Sequence, residues 1–153
     1  PMSLMGSLNV SASGMSAQRT RMDIISQNIA NVNTTRDENG NPYRRQTVVF
    51  AEKNDSNFES VLRSMQTGIP RRTDPLGDGV KITGIAEDHV TPMKMVYDPA
   101  HPDADADGYV TMPNVNTVTE MTNLIDATRS FEANVTAFNA TKNMALKGLE
   151  IGK

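Results

Sequence analysis

One acidic segment has the residue types and the spacing of a calcium-binding loop. Aspartates stand at alternate positions from Asp103 to Asp107 and are followed by Gly108, which matches the start of an EF-hand loop. The last position of such a loop needs a bidentate Glu, but Asn114 stands there. The flanking segments also lack the helical pattern of an EF-hand. A solvated acidic turn is the favoured interpretation, and a weak calcium-binding module is kept as an alternative function.

Other reactive side chains do not form a catalytic pattern. The two histidines, His89 and His101, lie in separate predicted loops and match no metal motif of the H-E-x-x-H kind. Cysteine is absent, which removes thiol catalysis, disulfides and thiolate metal sites. No G-x-S-x-G, P-loop or G-x-G-x-x-G segment is present. We therefore expect no enzyme, no cofactor, no metal site and no small-molecule substrate.

The composition favours a chain that shares its core with neighbours. A length of 153 residues corresponds to one modest domain, but Trp is absent and ten Met residues supply much of the apolar material. The net charge is −3, and the sequence contains no basic cluster of the kind that binds nucleic acid. Burial against other subunits would make up for a small core, whereas a small Met-filled monomeric core remains the alternative.

The sequence pattern predicts neither a cleaved secretory signal nor a membrane span. Residues 2–10 have no basic start and are broken by Ser, Gly and Asn, unlike a cleaved signal peptide. No run approaches the ~18 apolar residues that cross a bilayer. If the protein leaves the cytoplasm, we expect it to be exported without a cleaved signal peptide.

The elements that would position any site are two long helical stripes, one near each end of the chain. Apolar positions recur at alternating steps of three and four within residues 7–33 and again within residues 117–149, which is the spacing of a coiled-coil seam. The first stripe is carried mainly by Leu8, Met15, Met22, Ile25, Ile29 and Val32, and the second by Met121, Leu124, Phe131, Val135, Phe138 and Leu149. Asn28 and Asn31 are expected to end the first helix and to fix the start of the following loop.

The stripes are predicted to serve as an assembly interface. A helix of about 30 residues spans roughly 45 Å, which is longer than the short intervening strands would cover. We therefore favour contacts between copies of the chain over a two-helix core inside a monomer. The predicted fold is α+β, with the two terminal helices pairing as a coiled coil and a small β-rich module inserted between them.

The chain divides into three predicted parts. Residues 1–35 form the N-terminal coiled-coil helix, residues 36–112 a β-rich module and residues 113–153 the C-terminal coiled-coil helix. Within the module, short strands are expected over residues 43–50, 80–86, 93–97 and 109–112. A long loop over about residues 53–79 separates the first strand from the others.

Several segments resemble a known family. The run from Ser26 to Thr34, which reads SQNIANVNT, resembles the N-terminal signature of bacterial flagellar rod and hook proteins. The run from Tyr109 to Asn116, the Glu120-Met121 pair and the segment RSFEAN are similar to the proximal-rod branch of that family, as is the PYRR segment before the first strand. The resemblance covers nearly the whole chain outside residues 53–79. It departs from the family where residues 35–41 separate the N-terminal signature from Pro42.

The resemblance implies a structural subunit of the flagellar basal-body rod in the periplasm. Such a subunit would assemble with copies of itself and with other rod proteins into a drive shaft that transmits torque and surrounds the export channel. It would reach that place through the flagellar type III export apparatus. Its terminal helices would be poorly ordered before assembly and would fold against neighbours. A soluble coiled-coil adaptor is the alternative to this function.

Overall fold

The computed structural model describes residues 4–53, 62, 65–68 and 78–152. In chain order, the elements are α1 (Leu4–Ala30), β1 (Gln46–Glu52), β2 (Val80–Glu87), β3 (Lys94–Tyr97), β4 (Tyr109–Met112) and α2 (Thr117–Ile151). A helix at each end and short strands between them confirm the predicted α+β class. Most of the predicted loop over residues 53–79 lies outside the described residues.

Helix α1 ends where asparagine side chains compete for its backbone groups. Asn31 follows the helix, and its side-chain amide donates to the carbonyl of Gln27 over 2.8 Å. The hydroxyl of Thr34 then donates to Asn31 Oδ1 over 3.1 Å. Such local bonds offer the chain an alternative to another helical turn. The observed bounds lie three residues before the predicted range of 7–33 at each end.

Helix α2 begins at a side-chain cap. Asn116 has an extended backbone, and its Oδ1 accepts hydrogen bonds from the amides of Val118 and Thr119 over 3.0 and 3.2 Å. These bonds satisfy amides that the first turn of a helix leaves free. The start agrees with the predicted one, and the helix continues two residues beyond the predicted end to Ile151.

The two helices pack against each other in antiparallel orientation. Gly14 of α1 lies against Asn134 of α2, and Asn28 of α1 lies against Glu120 of α2. The two contacts are therefore 14 residues apart on each helix, which corresponds to four turns of about 3.5 residues, the period of a coiled coil. The predicted pairing of the terminal helices is confirmed.

The strands form two separate ribbons of two antiparallel strands each. In the first, β1 pairs with β2 from Gln46 opposite Glu87 to Glu52 opposite Val80, with a bulge between Val49 and Phe50. In the second, β3 pairs with β4 from Lys94 opposite Met112 to Tyr97 opposite Tyr109. The first strand thus begins three residues later than predicted, because the Tyr43 and Arg45 side chains contact the helices at Asn28 and Glu120. The Arg45 amide also donates to Asn114 instead of joining the ribbon.

The β1–β2 ribbon lies along α1. At one end of the ribbon, the amide of Gln46 donates to Asn28 Oδ1 over 2.9 Å. At the other end, the amide of Val80 donates to the hydroxyl of Ser13 over 3.1 Å. Helix α1 is therefore packed between the ribbon and α2. Among the described residues, no helix combines the length and apolarity that crossing a bilayer requires.

Candidate assembly interface

A buried asparagine joins α1 to the first ribbon. The side chain of Asn28 is fully buried. Its amide nitrogen donates to the carbonyl of Gln46 over 2.8 Å and to Glu120 Oε2 over 3.3 Å. Its oxygen accepts from the Gln46 amide and from the Tyr43 hydroxyl, over 2.9 and 2.8 Å. The prediction that this residue fixes the chain after α1 therefore has a structural basis, although the residue lies inside the helix.

The second component is a buried ion pair between Glu120 of α2 and Arg45, which immediately precedes β1. Only 1% of Glu120 is exposed. The Arg45 guanidinium donates from Nε to Glu120 Oε1, and its other end lies 3.7 Å from Asp88 Oδ2. A buried carboxylate is tolerated when it is paired and hydrogen-bonded. Glu120 has both an ionic partner in Arg45 and a hydrogen-bond donor in Asn28.

A second asparagine, Asn114, connects the segment between β2 and β3 with Arg45. Asn114 Oδ1 accepts from the Arg45 amide over 2.8 Å, and Asn114 Nδ2 donates to the carbonyls of Asp88 and Thr91 over 2.9 and 3.0 Å. We call the five side chains of Asn28, Arg45, Asp88, Asn114 and Glu120 the polar joint. It connects both helices with the first ribbon and with the turn that follows it.

The electrostatics of the polar joint shift two pKa values. The pKa of Asp88 is lowered to about 2, chiefly because its carboxylate accepts hydrogen bonds from the Thr91 amide and hydroxyl, with smaller contributions from the Val90 amide and the Arg45 charge. Burial raises the pKa of the Tyr43 hydroxyl, and the nearby Glu120 carboxylate raises it further. The Asp88 carboxylate of the joint is thus held ionised, and the adjoining Tyr43 phenol is held neutral.

The acidic loop that resembles an EF-hand start is occupied by bonds within the chain. Asp103 accepts from the Thr35 hydroxyl over 2.7 Å and pairs with Arg36 over 2.9 Å. Asp105 Oδ1 accepts the amides of Asp107 and Tyr109 over 3.0 and 2.8 Å. Within the described ranges, no three His, Asp or Glu side chains lie close enough together to hold a metal ion. These contacts give the calcium alternative no support.

Comparisons with known proteins match both ends of the chain. A family model described as "Flagella basal body rod protein" matches residues 8–36, and one described as "Flagellar basal body rod FlgEFG protein C-terminal" matches residues 106–151. The flagellar basal-body rod protein FlgC of Bacillus subtilis is 51% identical over 151 residues, covering 96% of this chain and 97% of the relative. FlgC proteins of Borreliella burgdorferi and Salmonella typhimurium are 44% and 36% identical, each over at least 98% of both chains.

This chain belongs to the FlgC family of flagellar basal-body rod proteins. The resemblance found in the sequence is confirmed, and so is the predicted function of a structural rod subunit. The two segments that the family models match contain most of α1 and all of α2. The antiparallel pairing of these helices therefore brings the two matched segments together.

The predicted stripe residues of this rod protein lie on and beside the seam between the helices. Ile25 and Asn28 are buried, whereas Met121 and Leu149 are 52% and 68% exposed. The other predicted interface residues are half-buried. They are Leu8, Met15, Met22, Ile29, Asn31 and Val32 in the N-terminal segment and Leu124, Phe131, Val135 and Phe138 in α2. Thr128 of the second stripe reaches α1, where its hydroxyl lies 3.6 Å from the sulfur of Met22.

The innermost seam positions of α2 are small or polar and recur every seven residues. They are Glu120, Ala127, Asn134 and Thr141. Ala127 is completely buried, and a side chain on Gly14 of α1 would come within 2.6 Å of Asn134. Reasoning from apolar periodicity missed this row because none of its members is a large apolar residue. The seven-residue spacing itself was the signal that could have revealed it.

Large apolar side chains of α2 point away from this seam. Val118 and Ile125, which are 75% and 55% exposed, lie with Met121 on one outer face of the helix. Farther along, Met144 and Leu146 are 58% and 50% exposed. In this FlgC-family chain, α2 thus places small or polar residues at the centre of the seam and presents several large apolar residues outside.

Proposed function

We propose that this rod protein contributes its helix pair to the wall of the flagellar rod, with residues 36–112 on the outside. In that arrangement it would transmit torque as part of a stiff, non-covalent shaft around the export channel. The observation that carries this proposal is the surface area of the chain. Its accessible surface is 10905 Å², whereas a compact folded monomer of 16.7 kDa exposes about 7,600 Å².

The surplus surface is of the kind that proteins bury against partners. Apolar side chains that stand alone on a surface are common, but contiguous apolar faces mark interaction sites. The outer face of α2 formed by Val118, Met121 and Ile125 is such a face. We propose that neighbouring subunits cover it.

The stripe residues are proposed to take part in the same contacts. Half-buried side chains beside the seam are covered on one side by the other helix and remain open to a neighbour on the other side. The proposed assembly interface consists of Leu8, Met15, Met22, Ile25, Asn28, Ile29, Asn31, Val32, Met121, Leu124, Phe131, Val135, Phe138 and Leu149. Asn28 acts within this set by holding α1 against the ribbon rather than by touching a neighbour.

The proposed partners are copies of the chain, other rod proteins and the flagellar type III export apparatus. Contacts between two different surfaces generate helical rods where the rotation between neighbours does not close a ring. The buried apolar core of the described residues is limited to Ala17, Ile24, Ile25, Val110, Val115 and Ala127. A core of this size supports passage through an export channel in an unfolded state, followed by folding against neighbours in the periplasm.

The test is incorporation into purified hook–basal bodies. In cells that lack their own copy, we expect mass spectrometry to find the wild-type chain at a few copies per particle. Met121→Asp and Phe131→Asp should be lost from the particles, because an unpaired carboxylate in a covered apolar contact costs several kcal/mol. Thr119→Asp is the matched control, since Thr119 is exposed in the first turn of α2, where a carboxylate favours the helix.

The outcome separates the rod from the adaptor alternative. Normal amounts of Met121→Asp and Phe131→Asp in basal bodies would contradict the proposed interface. Absence of the wild-type chain from basal bodies, together with abundance in the cytosol, would instead favour the soluble adaptor.

A further inference from the structure

A groove of about 320 Å³ opens between α1, α2 and β1. Ile24 and Ile25 of α1 form part of its apolar lining together with Val48 and Phe50 of β1. Asn123 and Glu120 of α2 also line it. Its volume is at the lower end of the range of about 300–1,000 Å³ for cavities that hold a ligand.

The groove holds an arginine that no carboxylate of the described residues pairs with. Two arginines, Arg21 and Arg45, line it, and Arg45 is engaged by Glu120 and Asp88. Arg21 donates only to the Gln18 side chain, over 3.5 Å. Among the described residues, no carboxylate lies within ion-pair distance of Arg21. The groove therefore suits an apolar segment that carries an acidic group.

The last turns of α2 have this chemistry. Leu146 and Leu149 are 50% and 68% exposed, and the side chain of Glu150 is 70% exposed. Their spacing of three and four residues places them on one helix face. Lys147 Nζ lies 3.6 Å from Glu150 Oε2, but the two side chains are 78% and 70% exposed. An exposed pair of this kind contributes little, so Glu150 can exchange Lys147 for a cation in a less exposed site. We call residues 146–151 the tail.

The tail extends past the described part of its own partner helix. The contacts of Gly14 with Asn134 and of Asn28 with Glu120 fix a register in which Leu4 lies opposite Met144. Beyond Met144, α2 therefore has no opposing α1 residue within the described ranges. The tail also lies roughly 38 Å along the helix from Asn123, so a chain's own tail cannot reach its own groove.

We propose that the tail of one copy occupies the groove of a second copy, with Leu146 and Leu149 on the apolar floor and Glu150 paired with Arg21. This inference rests on the proposed function, because it names the surfaces through which copies join. Tail and groove lie at opposite ends of the same helix pair. Each copy therefore offers both halves of the contact, so copies join head to tail rather than as a two-fold dimer, and a rotation that does not close a ring continues them into a helical array.

The absence of cysteine from the chain makes this contact directly testable. Asn123→Cys and Leu149→Cys would be combined in the full-length chain, expressed in cells that lack their own copy, and oxidised before basal bodies are isolated. We expect a disulfide-linked ladder that extends beyond dimers on a non-reducing gel. Co-expression of the two single variants should give only dimers that contain one of each. Lys81→Cys combined with Leu149→Cys is the matched control and should give no ladder, since Lys81 is exposed on β2 and does not line the groove.

A charge exchange tests the Glu150–Arg21 pair. Glu150→Arg alone and Arg21→Glu alone should each lower the disulfide-linked fraction roughly fivefold, because an attractive pair becomes a repulsive one. The combination of both substitutions should return the fraction to within about twofold of the starting value. A combined variant that is no better than either single variant would overturn the pairing.

Three results would overturn the inference while the proposed function stands, provided that the chain is found in basal bodies. They are disulfides between two copies of Leu149→Cys, disulfides that join the tail only to a different basal-body protein, and no disulfide at all. Absence of the wild-type chain from basal bodies would instead overturn the proposed function. Circular dichroism of each purified variant shows whether its helices are retained.

Discussion

The two ends of the helix pair differ in whether contacts within a single chain satisfy and cover their side chains. Among the described residues, those of the polar joint included, every buried side-chain nitrogen and oxygen has a hydrogen-bond partner. At the tail, Leu146, Leu149 and Ile151 are 50%, 68% and 85% exposed. The joint is satisfied within one chain, whereas the tail exposes apolar surface that a neighbour would cover.

This difference separates folding from assembly along one helix. Substitutions at the joint should change the unfolding free energy of the isolated chain, because buried polar groups there would lose partners. Substitutions of the exposed tail side chains Leu146, Leu149 and Glu150 should change chiefly the association of copies. Assembly then adds stability by mass action, so the joint fixes the shape of the subunit and the tail makes its stability depend on neighbours.

Replacement of the buried glutamate is expected to have the largest effect. Glu120→Leu should lower the unfolding free energy by about 3–5 kcal/mol, because it leaves Arg45 partly buried without its main partner. Urea denaturation of the purified chain measures this change. Glu132→Leu is the control on the same helix, and its exposed side chain should change stability by no more than about 0.5 kcal/mol. Equal effects of the two substitutions would show that the joint is not the stabilising end.

Two glycines of the helix pair offer a smaller contrast. Gly14→Gln should destabilise the chain by about 1–3 kcal/mol, because even a Cβ atom at this position would meet the Asn134 side chain at 2.6 Å. Gly148→Gln should stabilise it by up to about 1 kcal/mol, because nothing lies within 4 Å of the added Cβ and glycine is a poor helix former. Thermal unfolding of both variants followed by circular dichroism measures the difference. The same sign for both would contradict the close packing at Gly14.

Acid should weaken the joint through Asp88. The pKa of this carboxyl group is lowered from 3.8 to about 2 in the folded chain. The stabilisation is therefore fully present above about pH 4 and is lost as the pH falls through about 2. Urea denaturation at several pH values should show that the unfolding free energy of Asp88→Asn decreases less at acid pH than that of the wild type. The control is Asp126→Asn, which removes an exposed carboxylate of α2 and should keep the wild-type decrease in unfolding free energy. If Asp88→Asn had the same pH dependence of stability as the wild type, the contribution of the Thr91 bonds would be contradicted.

The helices were predictable because their signals are local. The spacing of apolar residues by three and four placed both helices to within three residues, and the cap at Asn116 follows from the preference of asparagine for that position. Part of the α2 seam could also be predicted from the sequence, because Leu124, Phe131 and Phe138 of the predicted stripe flank the innermost row. The family signatures identified the rod proteins independently of any of these patterns.

The polar joint was not predictable in the same way. Several of its bonds connect residues that are distant in the sequence, such as Asn114 with Arg45 at 69 positions and Glu120 with Asn28 at 92 positions. A glutamate in the first turn of a helix is usually explained by the helix dipole alone. Only the antiparallel register shows that this one is buried. The pairing of β1 with β2 across the long intervening segment was hidden for the same reason, since no short turn joins the two strands.

The smallest expected effect on stability is at the tail, and it tests the comparison most directly. Leu149→Ser should change the unfolding free energy of the isolated chain by less than about 0.5 kcal/mol, because 68% of the leucine is already exposed. The same variant should be depleted from basal bodies, because the proposed contact in the groove loses an apolar side chain. Denaturation and mass spectrometry of the particles measure the two effects separately. Thr136→Ser, at another exposed position of α2, is the control for both. A loss of stability in Leu149→Ser would mean that the tail packs within its own chain, and normal incorporation would mean that no neighbour depends on it.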